Sequence, residues 1–389
     1  MLRLKETMLR LIQRWSTACA LIAALSMSCP LSGAEIGVDN SSIVVGQSCA
    51  LTGPAAELGI EMRQGAQLYF NEVNEKGGVN GRQIRLVTFD DGYEPERAAV
   101  NTRKLIADEK VFALFGYVGT PTSNAALPIF SEARVPFVGA FTGAESLRSP
   151  FNRYIFNVRA SYYDETEKIV EQLTSLGVRN IAVLFQDDAY GRAGLTGIER
   201  ALARRNMKTA VTATVERNTV KVDAAVKILV APQPDAIVMI SAYKSVAAFV
   251  RAAKLAGYAG QFHNVSFVGS KALANELGAV GYGVAISQVM PFPFSGATQL
   301  ARDYQRAIKA SSGAQLSFTS IEGYIAAKVF VEGIRRAGRD LTRERFISAM
   351  ESINNLDLGG FNVRFSPANH NGSTYVDLTM IGRNGTFLK

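Results

Sequence analysis

The chain has 389 residues, of which 48% are hydrophobic and 20% charged, with a formal net charge of +8. That balance excludes the disordered and fibrous classes, and the length suits two folding units, each large enough to bury a core. No cluster of Lys and Arg with interleaved aromatics stands out, so a nucleic-acid surface is not expected.

The first residues read as a leader. Arg3, Lys5, Arg10 and Arg14 make a positive start, residues 15–25 are almost free of charge, and Ser32-Gly33-Ala34 offers small residues at a cleavage spacing. This is the order of a secretory signal peptide over residues 1–34, and its apolar stretch is short for a bilayer span. Cleavage there leaves a formal charge of +5 and places the chain in the periplasm. A lipid anchor at Cys29 is not expected, because Leu25 sits one place too far upstream. With Cys19 and Cys29 in the leader, Cys49 is left alone, too few for an internal disulfide, and its apolar context suggests a buried small hydrophobe.

From there short β-branched runs alternate with amphipathic helical stretches. Residues 43–46 read as a strand, 62–75 as a helix and 84–90 as a strand, after the turn signal of residues 77–81. A helix over 95–108, a strand at 112–115, a helix over 121–133 and a strand at 137–140 follow. The pattern then restarts with helices at 165–176, 191–205, 223–230 and 245–256, and strands at 181–185, 209–215 and 236–241. Strands separated by helices of this length mean βαβ units and parallel sheets covered on both faces. The last third carries helices near 298–310, 321–337 and 343–353 and strands at 361–365 and 375–381, too few for a third α/β unit. The fold class expected is α/β, with two similar parallel-sheet lobes joined by multiple crossovers. Residues 41–158 plus 288–360 form the first lobe and 159–287 plus 361–389 the second, with a ligand cleft between them. Several crossovers make a hinge, and hinged lobes enclose ligands.

In open α/β sheets ligands bind beyond the carboxyl ends of the strands. The loop after the third strand leads to Thr120, Pro121, Thr122 and Ser123, which read as an N-cap followed by Pro at the first helical position. Free amides, hydroxyls and the positive helix end there suit a carboxylate; ordinary helix capping accounts for the same residues. Phe141, Thr142 and Gly143 follow the next strand, where the glycine would let backbone approach a ligand and the ring would stack on it. In the second unit Tyr190 and Tyr243 each follow a strand and offer an apolar face with a polar tip, while Asp187 and Asp188 suit either a cap or a ligand.

Catalytic patterns are sparse. The chain has no P-loop, nucleotide-type glycine fingerprint, nucleophile elbow or zincin motif, and His263 and His370 are far apart. No catalytic residue, metal or cofactor is expected, so the protein is not read as an enzyme.

The stretches Gly46 to Pro54, Asn74 to Arg82, Gly116 to Ser123, Gln186 to Gly191 and Ser266 to Gly269 resemble, in order and spacing, the leucine/isoleucine/valine-type periplasmic binding proteins of ABC transporters. The resemblance implies the type 1 periplasmic binding protein fold, with three crossovers and ligand between the lobes. It assigns ligand contacts to Thr120, Thr122, Phe141, Thr142, Gly143, Tyr190 and Tyr243. It implies capture of a small carboxylate-bearing ligand, delivery to an ABC permease, and a monomer. The sequence departs from the pattern in having no acid near residues 267–270, where amino-acid binders hold the ligand ammonium, and in Phe141, at a position usually small. A buried ammonium needs a counter-charge, so the departure points to an aliphatic or aromatic carboxylate. The rival readings are a sensor feeding a signalling partner and an exported hydrolase.

Overall fold

The computed structural model describes residues 35–389. The expected signal peptide, with Cys19 and Cys29, lies outside the described residues.

The first sheet is built on β1 (Ser42–Cys49), where seven of eight residues are buried, as expected of a strand covered on both faces. It pairs in parallel with β2 (Gln83–Asp90) and β3 (Ala113–Phe115), and the sheet continues through β4 (Phe137–Val138) to β5 (Ile155–Phe156), giving the order β2-β1-β3-β4-β5. Its first three crossovers are the helices α1 (Ala56–Glu75), α2 (Pro95–Ala107) and α3 (Thr120–Glu132).

The second sheet repeats this winding. Strands β6 (Ile181–Gln186), β7 (Thr212–Val215), β8 (Ala236–Ile240), β9 (Gln261–Asn264) and β10 (Ala285–Gln288) pair in parallel in the order β7-β6-β8-β9-β10. The helices of this lobe are α4 (Tyr162–Ser175), α5 (Ala189–Ala203), α6 (Asp223–Val230), α7 (Tyr243–Leu255) and α8 (Ser270–Leu277). Two late strands, β13 (Asp377–Ile381) and β14 (Phe387–Leu388), extend it antiparallel beyond β10. The expectation of parallel sheets therefore holds for all but this edge.

Between β10 and β13 the chain returns to the first lobe as α9 (Gln299–Ala310), α10 (Phe318–Ala337) and α11 (Arg343–Glu351), then a small hairpin of β11 (Leu356–Asp357) and β12 (Asn362–Val363). The chain crosses between the sheets three times: after β5, after β10 and before β13. Residues 361–372, expected with the second lobe, lie instead beside β5. Asn157 exchanges backbone hydrogen bonds with His370 and Gly372 at 2.9 and 2.7 Å, and the His370 ring stacks on Phe156 at 3.9 Å. His370 thus fills the core beside the first sheet, with Nδ1 2.9 Å from the Ile155 carbonyl oxygen.

Cys49 is a buried free thiol. No helix among the described residues is long and apolar enough to cross a membrane.

Helices α1 and α10 meet backbone to backbone because each places a glycine in the contact. A Cβ on Gly65 would fall 1.8 Å from the Ser320 carbonyl oxygen, and one on Gly323 would fall 2.2 Å from that of Met62. Gly65→Ala should therefore cost about 1–3 kcal/mol by forcing the helices apart, read as a lower melting temperature with an unchanged circular-dichroism spectrum. A melting temperature at or above wild type would refute the contact.

Candidate functional site

Both sheets have the doubly wound order whose ligand crevice lies where successive connections leave in opposite directions, at the carboxyl end of the first strand. The loops there face each other across the lobe boundary. In the first lobe, α3 opens at Thr120, one place earlier than expected, with Gly119 as the residue before it. Gly119 has φ 102°, and a Cβ there would meet the Tyr93 ring at 2.2 Å, so only glycine fits. The Thr120 hydroxyl is 2.7 Å from that of Thr142, which in turn donates to the Tyr162 hydroxyl at 3.2 Å. These three hydroxyls form one buried chain spanning both lobes.

The other first-lobe expectations divide. The Thr122 hydroxyl donates to the carbonyls of Val118 and Gly119, closing the first helical turn. The Ser123 amide, expected free, donates to the Gly119 carbonyl at 3.1 Å. Gly143 is needed for close approach, but by the chain itself: its carbonyl accepts from the Tyr162 amide at 2.8 Å, and a Cβ would lie 2.6 Å from that nitrogen.

Around the hydroxyl chain stand five aromatic rings. Phe267 is their centre, 4.6 Å from Tyr190, 5.2 Å from Phe141 and 5.8 Å from Tyr93, while Tyr162 lies 5.3 Å from Tyr190. The Tyr190 hydroxyl is buried with no hydrogen-bond partner among the described residues, and burial pushes its pKa up. A buried unpaired hydroxyl costs stability. Asp188 is the N-cap of α5, its Oδ1 accepting from the amides of Tyr190 and Gly191 at 2.9 and 3.4 Å, whereas Asp187 pairs with Arg192 on the surface. Tyr243 makes no ring pair with this cluster; its hydroxyl lies by the backbone of Glu57, and burial raises its pKa to about 12.

The charged heart of the site escaped the sequence reading. Arg159 lies in the first crossover and is 1% exposed. Its guanidinium pairs with Glu165 of α4 at 2.8 Å and Glu322 of α10 at 3.3 Å, and also contacts the Ser266 hydroxyl. It lies 5.2 Å from the Phe141 ring centre and 5.8 Å from that of Tyr162. Glu165 also accepts from the Ser266 amide at 2.7 Å and the Ser287 hydroxyl at 2.6 Å. Residues 267–270 carry no acid, but a carboxylate from another element is bonded directly beside them. The missed signal was a charge on an apolar helix face: Glu165 lies among the buried Tyr162, Thr166 and Ile169, and Glu322 among Phe318, Ile321 and Ile325.

Burial works against the Arg159 charge, but the carboxylates of Glu322 and Glu165 outweigh it and raise its pKa. Burial pushes Glu322 up to about 7, with Arg159 pulling the other way. Thr120, Thr142, Phe141 and Tyr190 are all closed off from solvent. The gap beside them, lined by Phe141, Ser266, Met290, Phe318 and Glu322, has a cavity volume of about 10 Å³, far below that of ordinary ligand pockets. In this arrangement the cluster is closed to any solute. Among the described residues no group of three or more His, Cys, Asp or Glu is placed to hold a metal.

A raised carboxyl pKa means the folded state keeps a proton that the unfolded chain releases, so stability falls as pH rises from about 4.5 to about 7. Glu322→Gln removes that contribution. The wild type should lose more melting temperature than the variant between pH 5 and pH 7.5; parallel curves would contradict a proton held on Glu322.

Residues 42–386 match the family described as periplasmic binding protein. Leu/Ile/Val-binding protein homolog 7 of Brucella suis is 26% identical over 367 residues, spanning 90% of this chain and 91% of that protein. A possible leucine/isoleucine/valine-binding protein from Rhodopirellula baltica superposes with a TM-score of 0.86 at 34% identity, covering 90% of this chain and 97% of the other. A substrate-binding periplasmic protein from Ralstonia solanacearum gives a TM-score of 0.85 at 35% identity, covering 89% and 99%. These relatives are named as binding proteins. With two doubly wound lobes meeting at a buried polar and aromatic cluster, the chain belongs to the periplasmic binding protein family, and to its leucine/isoleucine/valine type.

Proposed function

We propose that the exported chain captures a small carboxylate-bearing solute between its lobes in the periplasm and delivers it to the permease of an ABC transporter. The observation that carries this reading is the sealed chain of hydroxyls from Thr120 through Thr142 to Tyr162, at the start of α3 and beside Arg159. Hydroxyl donors and a helix N-terminus suit a carboxylate. Phe141 and Tyr190 supply apolar faces for the rest of the solute, and Thr122 and Gly143 shape the loops that hold these groups. Tyr243 contributes at another edge of the lobe boundary.

The solute is an amino acid or a related aliphatic or aromatic acid. Glu322 lines the gap beside Phe141, where a bound ammonium would favour its ionised form, so an amino acid stays within that class. The names of the curated relatives point the same way. Binding works by population shift: the parted lobes admit the solute, and its contacts to both favour the closed form that the permease recognises.

A thermal-shift screen against amino acids, aliphatic acids and aromatic acids tests this, since a ligand of the native state alone raises the melting temperature. At least one acid should give a clear shift, and silence across all three classes would contradict the reading. With an acid that binds, Thr120→Ala should weaken it by about 1–3 kcal/mol. Tyr190→Phe should leave stability unchanged or improved while lowering affinity. Unaltered affinity in both variants would displace the site from this cluster.

A further inference from the structure

Resting on the reading that the lobes part and close around a solute, we propose that Arg217 and Asn218 of the second lobe and Glu94 of the first form a latch that holds the lobes closed. The three lie away from the hydroxyl chain, at the turns that follow β7 and β2. Arg217 Nη2 donates to Glu94 Oε2 at 2.8 Å, and Asn218 Nδ2 donates to Glu94 Oε1 at 2.7 Å and to the Gly92 carbonyl at 3.1 Å. Both carboxylate oxygens of Glu94 are thus taken by the opposite lobe.

Both turns are set by backbone that few side chains adopt. Gly92, Tyr93 and Asn218 have φ of 58°, 63° and 58°. Non-glycine residues in this region cost energy and persist where surrounding contacts hold them. Glu94 is fixed in turn as the residue preceding Pro95 at the start of α2. The latch is therefore presented by rigid turns, not by two long side chains meeting by chance on a surface. Arg217 and Glu94 are partly covered, 22% and 39% exposed at the side chain.

The latch also connects to the proposed site. Arg217 Nη1 reaches Asp188 Oδ2 at 3.3 Å, the same oxygen that accepts from Gln186 Nε2 at 2.6 Å, and the other Asp188 oxygen caps the helix that begins with Ala189 and Tyr190. Gln186 Nε2 further donates to the Tyr93 hydroxyl at 3.2 Å, tying the turn before Glu94 to the aromatic cluster. Closing the latch and seating Tyr190 are thus parts of one hydrogen-bond network. Arg217 and Glu94 act as positioning residues: they touch no solute and determine how long the lobes stay shut.

Small-angle scattering of the protein without added solute tests the latch independently of which acid binds. Arg217→Ala and Glu94→Ala should each raise the radius of gyration, the double variant should raise it no further than either single, and Arg217→Lys should restore much of the compactness. Arg204→Ala, which removes an ion pair to Glu167 within the second lobe, should leave it unchanged. Melting curves would establish that each variant is folded. A wild-type radius in both alanine variants, additive effects in the double variant, or an equal rise in Arg204→Ala would overturn the proposal. Failure of every acid to bind would overturn the functional reading and leave this comparison standing.

Discussion

The arrangement depends on one buried cation. Arg159 sits where the chain first leaves the first sheet, and its partners come from both sides: Glu165 from α4 of the second lobe and Glu322 from α10 of the first. A guanidinium in so dry a place is tolerated only when paired and hydrogen-bonded. The pairing therefore ties the crossover to both lobes and fixes Tyr162, three residues on, against the Gly143 carbonyl. Two carboxyls share one cation, and burial holds that of Glu322 up at about 7 against the pull of Arg159.

Closure and burial are two views of the same contact. The five rings centred on Phe267 come from both lobes, and the Thr120 and Thr142 hydroxyls of the first lobe meet that of Tyr162 in the second, so separating the lobes exposes them together. Exposing apolar ring surface costs about 25 cal/mol per Å², which makes parting unfavourable unless water or a solute satisfies the polar groups released. The unpartnered Tyr190 hydroxyl and Arg159 Nε work in the opposite sense, since each is a hydrogen bond not made in the sealed arrangement. Ring burial and unmet polar groups thus pull in opposite directions on the equilibrium that the proposed mechanism requires a ligand to shift.

Much of the fold was legible because its signals are local. Alternating apolar runs and amphipathic stretches located every helix from α1 to α7 and the strands β1 to β4 and β6 to β8, with ends displaced by a few residues where caps decide. The start of α3 shows why: threonine is the commoner cap, but the tight approach of Tyr93 demands glycine at 119, a tertiary fact. The elements missed were β5, β9, β10, β11, β14 and α8. Strand β9 reads Gln-Phe-His-Asn and β10 reads Ala-Ile-Ser-Gln, so their polar side chains hide them. They are strands because neighbours on both sides complete their hydrogen bonds and because Ser287 and Gln288 find buried partners. For the site, loops after strands led to Thr120, Thr142, Phe141 and Tyr190, which the structure brings to one cluster. Arg159 and its glutamates stayed hidden because Glu322 comes to Arg159 from 163 positions along the chain, although charges on apolar helix faces were there to be read.

The central claim is that one solute is held by both lobes at once, between the start of α3 and the Phe267 ring. Hydrogen–deuterium exchange, compared with and without an acid that stabilises the protein, tests it most directly. The account predicts slowed exchange in residues 117–123 and 141–144 of the first lobe together with residues 186–191 and 266–270 of the second. Protection confined to one lobe, or centred on loops elsewhere, would contradict it.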